Sequence, residues 1–311
     1  MTEFNHKPIM LTECTENLNI DPDGTYLDCT VGGAGHSTEI AKRLKNGTLL
    51  CLDKDEDALK TSKERLKQFG DKVKFYHTDF KNFEEAQKFY NIQKFDGILI
   101  DLGVSSYQID TASRGFSYMH NGTLDMRMDK RQEFSAYDIV NNYTYEKLVQ
   151  IFKEYGEEQF ANNIAKHIVK DRELKPIQTT FQLNDIIEKS IPAKIRFKGG
   201  HPAKKVFQAL RIEVNGELDD LFETVVSLAR NLNSKGRLAV LTFHSLEDRI
   251  VKKAFNMLSS DCLCPPQIPI CVCGHQKEIK LINKKPIMAS IDEQLENSRS
   301  KSAKLRVAEK I

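Results

Sequence analysis

The chain of 311 residues has no tryptophan, almost no net charge and no long apolar run. Its 46 basic and 44 acidic residues give a formal charge of +2, which by itself indicates no nucleic-acid partner. No stretch approaches the roughly 18 apolar residues of a membrane span, and Met1–Pro8 lacks the basic and then apolar pattern of a signal peptide. Seven cysteines are an odd number, which disfavours a disulfide scaffold. We therefore expect a cytoplasmic protein.

The first hundred residues alternate short apolar strands with amphipathic helices, which is typical of a parallel sheet in an α/β protein. Strands are predicted over 26–29, 48–52, 73–77 and 95–100, and helices over 37–44 and from Asp55 onward. The composition agrees, since 40% hydrophobic and 29% charged residues are typical of a globular protein.

The alternation stops after Asp101 and returns near residue 216. Helical spacing marks 145–155, 157–173 and 181–190, a further helix covers 216–232, and a late strand covers 237–243. Ser245 and Asp248 are expected to form a capping box for the helix that follows. The simplest interpretation is an α/β domain (1–106 and 216–311) interrupted by an inserted helical domain (107–215); two consecutive domains are the alternative.

A ligand of an open parallel sheet lies beyond the carboxyl ends of its strands. The first strand is followed by a glycine cluster ending in Ala34, Gly35 and His36. Glycines allow close approach of a ligand, but a plain tight turn explains the cluster equally well. Asp53 follows the second strand, where an acid can accept hydrogen bonds from the two hydroxyls of a ribose; an exposed acid near a helix start is the alternative.

The third and fourth strand ends continue the pattern. An adenine could be covered by Phe80, although aromatic side chains at such places often pack into the core. Asp101 ends the fourth strand and leads into the loop Leu102–Ser106. The ordered set of glycines and acids predicts a nucleoside-binding site.

Several longer blocks make the chain similar to one known family. They are Asp28–Ser37, Asp101–Ser106 with Gln108, Arg114–Ser117, Leu124–Asp129, Tyr155–Glu158, His201–Ala203, Phe207–Ile212 and Phe243–Arg249. On these blocks the sequence resembles the MraW-like family of bacterial 16S rRNA cytosine-N4 methyltransferases, from His6 to Glu309.

The resemblance implies a class I (Rossmann-like) methyltransferase sheet with a helical insert, S-adenosylmethionine as the cofactor, and N4-methylation of a cytidine in the decoding region of 16S rRNA within the small ribosomal subunit. The implied cofactor-binding residues are Ala34, Gly35, His36, Asp53, Phe80, Asp101 and Gln108. Ala34 departs from the family, where a second glycine often stands. Its methyl group is expected to be tolerated if the residue keeps a negative φ.

The amine of cytosine is a poor nucleophile, because its lone pair is delocalised into the ring. Its attack on a methyl group needs acceptors for its N–H bonds and alignment behind the methyl. Asp101 and Ser105 are the candidate catalytic residues, although turn capping is an equal alternative for Ser105. The loop lacks the Pro-Pro and the aromatic residue that are typical of DNA amino-methyltransferases.

Basic residues concentrate in two segments. The first, 194–211, has a charge of +6 and no acid, the segment from Ser298 to Ile311 has +4, and the remaining chain therefore carries −8. The candidate RNA-binding residues are Lys194, Arg196, Lys198, Lys204, Lys205 and Arg211. One polar helix face is expected to contact the phosphates of the RNA, and it consists of Lys204, Gln208, Arg211 and Asn215.

Four cysteines form two close pairs, Cys262 with Cys264 and Cys271 with Cys273. Structural zinc takes four thiolates, but one residue inside each pair is fewer than usual. Zinc, reduced buried thiols and a labile disulfide all stay open, and no metal ligand is assigned. For the whole chain, the alternatives to the rRNA methyltransferase are a non-catalytic RNA-binding assembly factor and an amino-methyltransferase of DNA. The oligomeric state is not predicted.

Overall fold

The structure is a computed structural model, and it describes residues 8–194, 196, 200–265, 267 and 270–311. Contacts divide the chain into two compact units. Unit 1 runs up to Gly103 and resumes at Asp219, and unit 2 spans Val104–Leu218. The boundaries expected from the sequence lie close to these positions.

Unit 1 is built on an eight-stranded sheet with the order β3-β2-β1-β4-β5-β8-β6, and β7 pairs with β8. The strands are β1 (Thr25–Asp28), β2 (Thr48–Asp53), β3 (Val73–His77), β4 (Phe95–Asp101), β5 (Leu232–Thr242), β6 (Ile279–Leu281), β7 (Ile287–Met288) and β8 (Lys304–Lys310). Strands β1 to β5 run parallel, which confirms the predicted α/β class. The strand order reverses at β1, between β2 and β4, and a ligand is expected at such a reversal.

Unit 1 contains the helices α1 (Leu11–Asn17), α2 (Gly35–Arg43), α3 (Glu56–Leu66), α4 (Phe83–Phe89), α11 (Leu221–Arg230), α12 (Ser245–Ser259) and α13 (Ile291–Glu296). The sequence predicted α2, α3, α11 and α12, and it did not predict α1, α4 or α13. Asp55 caps α3 by accepting the N–H of Asp57, and the helix buries Leu59, Ser62 and Leu66. Leu49, Leu50 and Ile98 of the central strands are fully buried. The strand ends therefore start from a closely packed core.

The cap of α12 differs from the expectation. His244, not Ser245, is the N-cap residue, and it forms a capping box with Glu247. The His244 N–H donates to Glu247 Oε2 at 3.2 Å, and the Glu247 N–H donates to His244 Nδ1 at 3.4 Å. Asp248 instead accepts Arg306 Nε at 2.6 Å. The expected box was wrong because Asp248 has a charged partner far along the chain.

That partner lies on β8, for which no strand was predicted. β8 runs antiparallel between β5 and β6, with only its two end residues partly exposed. Lys304 and Arg306 both contact Asp248, and Lys310 lies 3.4 Å from Glu278. These basic residues thus neutralise acids of unit 1, and their charge is not a free basic tail.

Unit 2 consists of helices around its own apolar core. They are α5 (Ser106–Asp110), α6 (Ala136–Asn142), α7 (Tyr145–Glu154), α8 (Ala161–Leu174), α9 (Thr180–Ser190) and α10 (Lys204–Asn215). Leu148, Ile164 and Leu210 are among its fully buried residues. The expected lack of strands is confirmed for the described part of unit 2, where the isolated bridge between Thr123 and Thr179 is the β-pairing found. In the described residues of both units, no helix is long and apolar enough to cross a membrane.

Candidate functional site

The glycine cluster forms the loop between β1 and α2. Its backbone is fixed to both neighbouring strands, since the Cys29 N–H donates to Leu99 O at 2.9 Å and the Val31 N–H donates to Leu52 O at 2.8 Å. Gly32 has φ +47°, a left-handed conformation that glycine adopts without steric cost. The loop therefore turns tightly at the reversal of strand order.

Ala34 is the N-cap residue of α2, and its φ is +63°. The condition on which its methyl group was expected to be tolerated, a negative φ, is therefore not met. The Ala34 N–H donates to Val31 O at 2.7 Å and its carbonyl accepts the Thr38 N–H at 2.9 Å, so that the loop imposes the left-handed conformation. A residue with a Cβ is destabilised by about 1–2 kcal/mol in this conformation.

Gly35 begins α2 and lies against Pro8. A Cβ on Gly35 would lie 2.0 Å from Pro8 Cγ, far inside van der Waals contact. The absent side chain is therefore a packing requirement. It lets the segment before α1 approach the first turn of α2, where backbone N–H groups favour negative charge.

Asp53 ends β2 and faces the glycine loop. Its Oδ2 accepts the Gly32 N–H at 2.9 Å and its Oδ1 accepts the Asp55 N–H at 2.9 Å. Burial raises the pKa of Asp53 to about 7, although both N–H donors lower it. Since a carboxylate oxygen accepts more than one hydrogen bond, each oxygen keeps a lone pair for a ligand hydroxyl.

Asp28, at the end of β1, stabilises the glycine loop through hydrogen bonds. It is buried, and it accepts Ser37 Oγ–H at 2.5 Å and the Thr30 N–H at 3.1 Å. Burial raises the pKa of Asp28 to about 6. The sequence reasoning missed both Asp28 and Ser37 as site residues; the available signal was an acid at the end of an apolar strand with a serine nine residues later.

Asp101 ends β4, and its carboxyl group lies beside His36. Asp101 Oδ2 is 3.7 Å from His36 Nδ1, and Asp101 Oδ1 is buried without a hydrogen-bond partner in the described structure. Burial raises the pKa of Asp101 well above its ordinary value, and the carboxylates of Asp28 and Glu247 add to the shift. The carboxyl group is therefore short of both donors and positive charge.

His36 does not supply that charge. Burial lowers the pKa of His36 to about 4, so that the ring is neutral at pH 7. Its Nε2 lies 3.1 Å from Ile9 O, and because a carbonyl oxygen only accepts, Nε2 carries the proton. Nδ1 therefore turns a lone pair toward Asp101. The contact is not an ion pair.

Three carboxyl groups at this edge of the sheet consequently lack a cationic partner in the described part of the chain, while the nearby Lys54 pairs with Asp79 and Arg65 donates to Gly33 O. Within the described ranges, Asp28, Asp53 and Asp101 form no ion pair with a lysine or an arginine. Carboxyl groups with raised pKa in a partly buried site favour a ligand that brings positive charge and hydrogen-bond donors. The arrangement thus fits a cationic ligand that also has hydroxyl groups.

Phe80 follows β3 in a short 3₁₀ turn, 80–82. It is partly exposed, at the strand end next to Asp53 in the sheet. Contact with an adenine and packing against its neighbours both stay open for Phe80. The adjacent Asp79 accepts the Lys81 N–H and pairs with Lys54 Nζ at 3.1 Å, which ties it to the turn.

Ser105 and Gln108 belong to unit 2 and form a capping box. The Gln108 N–H donates to Ser105 Oγ at 3.2 Å, and the Ser105 N–H donates to Gln108 Oε1 at 3.0 Å. The capping interpretation of Ser105 is therefore confirmed. Gln108 is buried, at 4% exposure.

The basic residues of unit 2 separate into two groups. Lys194 and Lys204 are exposed; Lys205 is also exposed but donates through Nζ to Glu157 O at 2.8 Å, and Arg196 donates to Ile191 O at 3.1 Å. Lys198 lies outside the described residues.

The expected polar face of α10 was wrong beyond Lys204. Gln208 donates to Tyr155 O at 2.9 Å, and Arg211 forms a two-pronged ion pair with Glu217, with both distances 2.8 Å. Asn215 is buried and accepts the Met128 N–H. Because α10 is buried on most sides, these polar groups serve unit 2 itself.

Unit 1 thus brings together the glycine loop, His36, Asp53 and Asp101, and places Phe80 at the adjoining strand end.

Known proteins match this chain over nearly its whole length. The family described as the MraW methylase family matches residues 3–311. Ribosomal RNA small subunit methyltransferase H of Finegoldia magna is 56% identical over 310 residues, which cover 99% of each chain. The protein of the same name from Clostridioides difficile strain 630 is 54% identical and covers 99% of this chain and 100% of its own.

Proposed function

The chain belongs to the MraW methylase family, and we propose that it transfers the methyl group of S-adenosylmethionine to N4 of a cytidine in the decoding region of 16S rRNA. The observation that carries this proposal is the acidic site at the reversal of strand order, with the unpartnered oxygen of Asp101 at its centre. Relatives named as rRNA methyltransferases of the small subunit support the choice of substrate.

The residues present fit the proposed cofactor. S-adenosylmethionine, when bound, supplies a methyl group on a positively charged sulfonium, together with an amine, a ribose diol and an adenine. We assign the two ribose hydroxyls to the Asp53 carboxylate and the adenine face to Phe80. Ala34, Gly35 and His36 are assigned to the cofactor as members of the loop that turns at the reversal of strand order, and Asp101 supplies the negative charge that the cation needs. Gln108 of unit 2 is the further cofactor-binding residue in this proposal.

The methyl transfer breaks a carbon–sulfur bond and forms a carbon–nitrogen bond, and the amine then loses one proton. Asp101 is the proposed acceptor for an N–H of the cytosine amine, because its carboxyl group ends β4, its side chain is 29% exposed and it has no cationic partner among the described residues. An N–H⋯O bond to a carboxylate pulls electron density toward the nitrogen, which raises its nucleophilicity. A raised pKa also suits Asp101 to receive the proton that leaves. Ser105 is the second candidate, and its Oγ–H is free to donate while Oγ accepts in the cap.

We propose unit 2 as the part that recognises the rRNA. Exposed lysines attract phosphates without reading sequence, so Lys194, Lys204 and Lys205 are assigned to phosphate contacts. Arg196 and Lys198 stay in the proposal as members of the same basic segment. Arg211 is removed from it, because its guanidinium is already held by Glu217. Since its proposed substrate is rRNA of the small ribosomal subunit, we propose that the protein acts in the cytoplasm.

The test is mass spectrometry of nucleosides from 16S rRNA after incubation of the protein, S-adenosylmethionine and small subunits that lack the modification. We expect N4-methylcytidine with the wild-type protein and none with Asp53→Ala at low cofactor concentration. A parallel reaction on free 16S rRNA identifies the preferred substrate. Cofactor binding without any N4-methylcytidine on either substrate would exclude this activity, and absence of cofactor binding would favour an RNA-binding assembly factor.

A further inference from the structure

Four cysteine thiols meet in the connection between α12 and β6. Cys262, Cys264, Cys271 and Cys273 each offer a sulfur, and all four sulfurs lie within 4.8 Å of one another. Cys262 Sγ is 3.3 Å from Cys271 Sγ and 3.8 Å from Cys273 Sγ, and the last two sulfurs are 3.5 Å apart. None of the four is in a disulfide.

We propose that these four cysteines bind a structural zinc ion. Zinc in such sites is tetrahedral with Zn–S bonds of about 2.3 Å, which puts neighbouring sulfurs about 3.8 Å apart. The distances in this cluster lie close to that value. Thiolate is also a ligand that selects zinc over the oxygen-binding cations.

Backbone N–H groups already point at the sulfurs. The Leu263 N–H donates to Cys273 Sγ at 3.4 Å, the Cys264 N–H to Cys262 Sγ at 3.3 Å, and the Val272 N–H to Cys264 Sγ at 3.4 Å. Hydrogen bonds from outside the ligand shell orient metal ligands and offset their negative charge. Three of the four sulfurs therefore each accept a hydrogen bond from a backbone N–H.

Apolar packing does not explain why the cysteines come together. Cys262, Cys271 and Cys273 are exposed, so the alternative of buried thiols does not describe them. Between and beside them, the side chains of Ile270 and Val272 are 75% and 76% exposed. A segment without a core of its own needs another means of holding its fold, and a structural metal ion is one of those that small scaffolds use.

Zinc binding converts four thiols to thiolates and releases four protons, which gives a centre of net charge −2. All four positions around the ion are then taken by sulfur, so the centre has no position for substrate or water and is structural. Its place in the fold supports this role. Beyond the cysteines, His275 Nε2 contacts Met257 O at 2.9 Å and the Glu278 N–H donates to Leu258 O at 2.8 Å. The ion would fix the loop that these contacts anchor to the end of α12.

The test uses the full chain, purified under reducing and metal-free conditions and titrated with Co²⁺ alone. Tetrahedral thiolate coordination gives intense sulfur-to-cobalt absorption and visible d–d bands, which other geometries do not give at that intensity. We expect saturation at about one Co²⁺ per chain and displacement by one equivalent of Zn²⁺. Wild-type protein that gives no such spectrum would overturn the proposal, and it does so without any variant.

Two variants locate the site. Cys271→Ser with Cys273→Ser should abolish the spectrum, and Val272→Ala, which alters the same loop and keeps all four thiols, should leave it unchanged. Circular dichroism of the double variant shows whether the rest of the protein is folded. An unchanged spectrum in the double variant, or disulfides among the four cysteines in protein isolated without exposure to oxygen, would contradict the assignment.

Discussion

The acidic site predicts that Asp101→Asn makes the protein without cofactor more stable at alkaline pH. In the wild-type protein the carboxyl group must ionise beside Asp28 and Glu247, with one buried oxygen unpartnered. The amide is nearly the same size and carries no charge. Its N–H also comes next to the lone pair of His36 Nδ1, which lies 3.7 Å from the present carboxyl oxygen.

The magnitude follows from the desolvation cost of an unsatisfied buried group, about 1–3 kcal/mol and more when the group is charged, because the neutral amide removes the charge. The Asp101 side chain is 29% exposed, so water lowers this cost, and we expect a gain of about 1–2 kcal/mol in the free energy of unfolding at pH 8. The sign depends on pH. Because folding raises the pKa of Asp101, its contribution to stability is complete below the unfolded pKa of about 3.9 and is lost as the pH rises through the folded pKa. The variant should therefore differ little from wild type near pH 4 and gain progressively above it.

Urea unfolding at pH 4.5 and pH 8 measures the effect, without cofactor and then with it. Saturating S-adenosylmethionine should stabilise the wild-type protein more than the variant, because ligand stabilisation rises with affinity. Asp71→Asn is the matched control, since Asp71 is exposed and precedes the amino end of β3, at the opposite end of that strand from the acidic site. A variant less stable than wild type at pH 8, or a difference equal at both pH values, would refute this account of Asp101.

Three further predictions concern the loop, the ribose acid and the RNA surface. Asp53→Ala should weaken cofactor binding about 10- to 100-fold in calorimetry, because the ribose hydroxyls lose a charged acceptor for their hydrogen bonds. Gly35→Ala should lower the free energy of unfolding by about 1–3 kcal/mol in urea, because its Cβ meets the Pro8 ring. Lys204→Ala with Lys205→Ala should weaken rRNA binding and reduce the slope of log affinity against log salt by about 1.4, at about 0.7 for each single-strand phosphate contact.

Each of these has its own control. For the ribose assignment, rRNA binding by Asp53→Ala should stay unchanged, and a normal cofactor affinity would end the assignment. An unaltered unfolding midpoint in Gly35→Ala would show that Pro8 moves away freely. For the RNA surface, Lys60→Ala with Lys67→Ala removes two exposed lysines of unit 1. If this variant loses as much rRNA affinity as the variant of unit 2, the phosphate contacts are not located on unit 2.

The sheet and the position of its ligand site could be predicted from the sequence. Apolar runs, glycines and acids recur at strand ends, and these are local signals, so β1 to β4 and Asp53 and Asp101 were placed correctly. The residue that pairs with an acidic side chain can lie far away in sequence. Asp248 pairs with Arg306, and no local pattern around either residue predicts that contact.

Backbone conformation escapes sequence reasoning for a similar reason. The positive φ of Ala34 comes from hydrogen bonds to Val31 and Thr38 that close the loop, and alanine alone favours the opposite sign. The polar residues of α10 likewise have a helical spacing that fits an exposed face. Only the packing of unit 2 shows that Arg211 and Asn215 are used internally.

The position of β8 has a consequence for the order in which the protein can fold during synthesis. β8 is made after every strand with which it pairs, and β6 and β7 have no other strand partner within the described residues. Until β8 leaves the ribosome, β5 is an edge strand with a long buried stretch and an open row of hydrogen-bonding groups. Unit 2, which is encoded earlier and has its own core, can be complete by then. The nascent chain thus carries a finished insert within an unfinished sheet, and its last seven-residue strand converts an aggregation-prone edge into the interior of the fold.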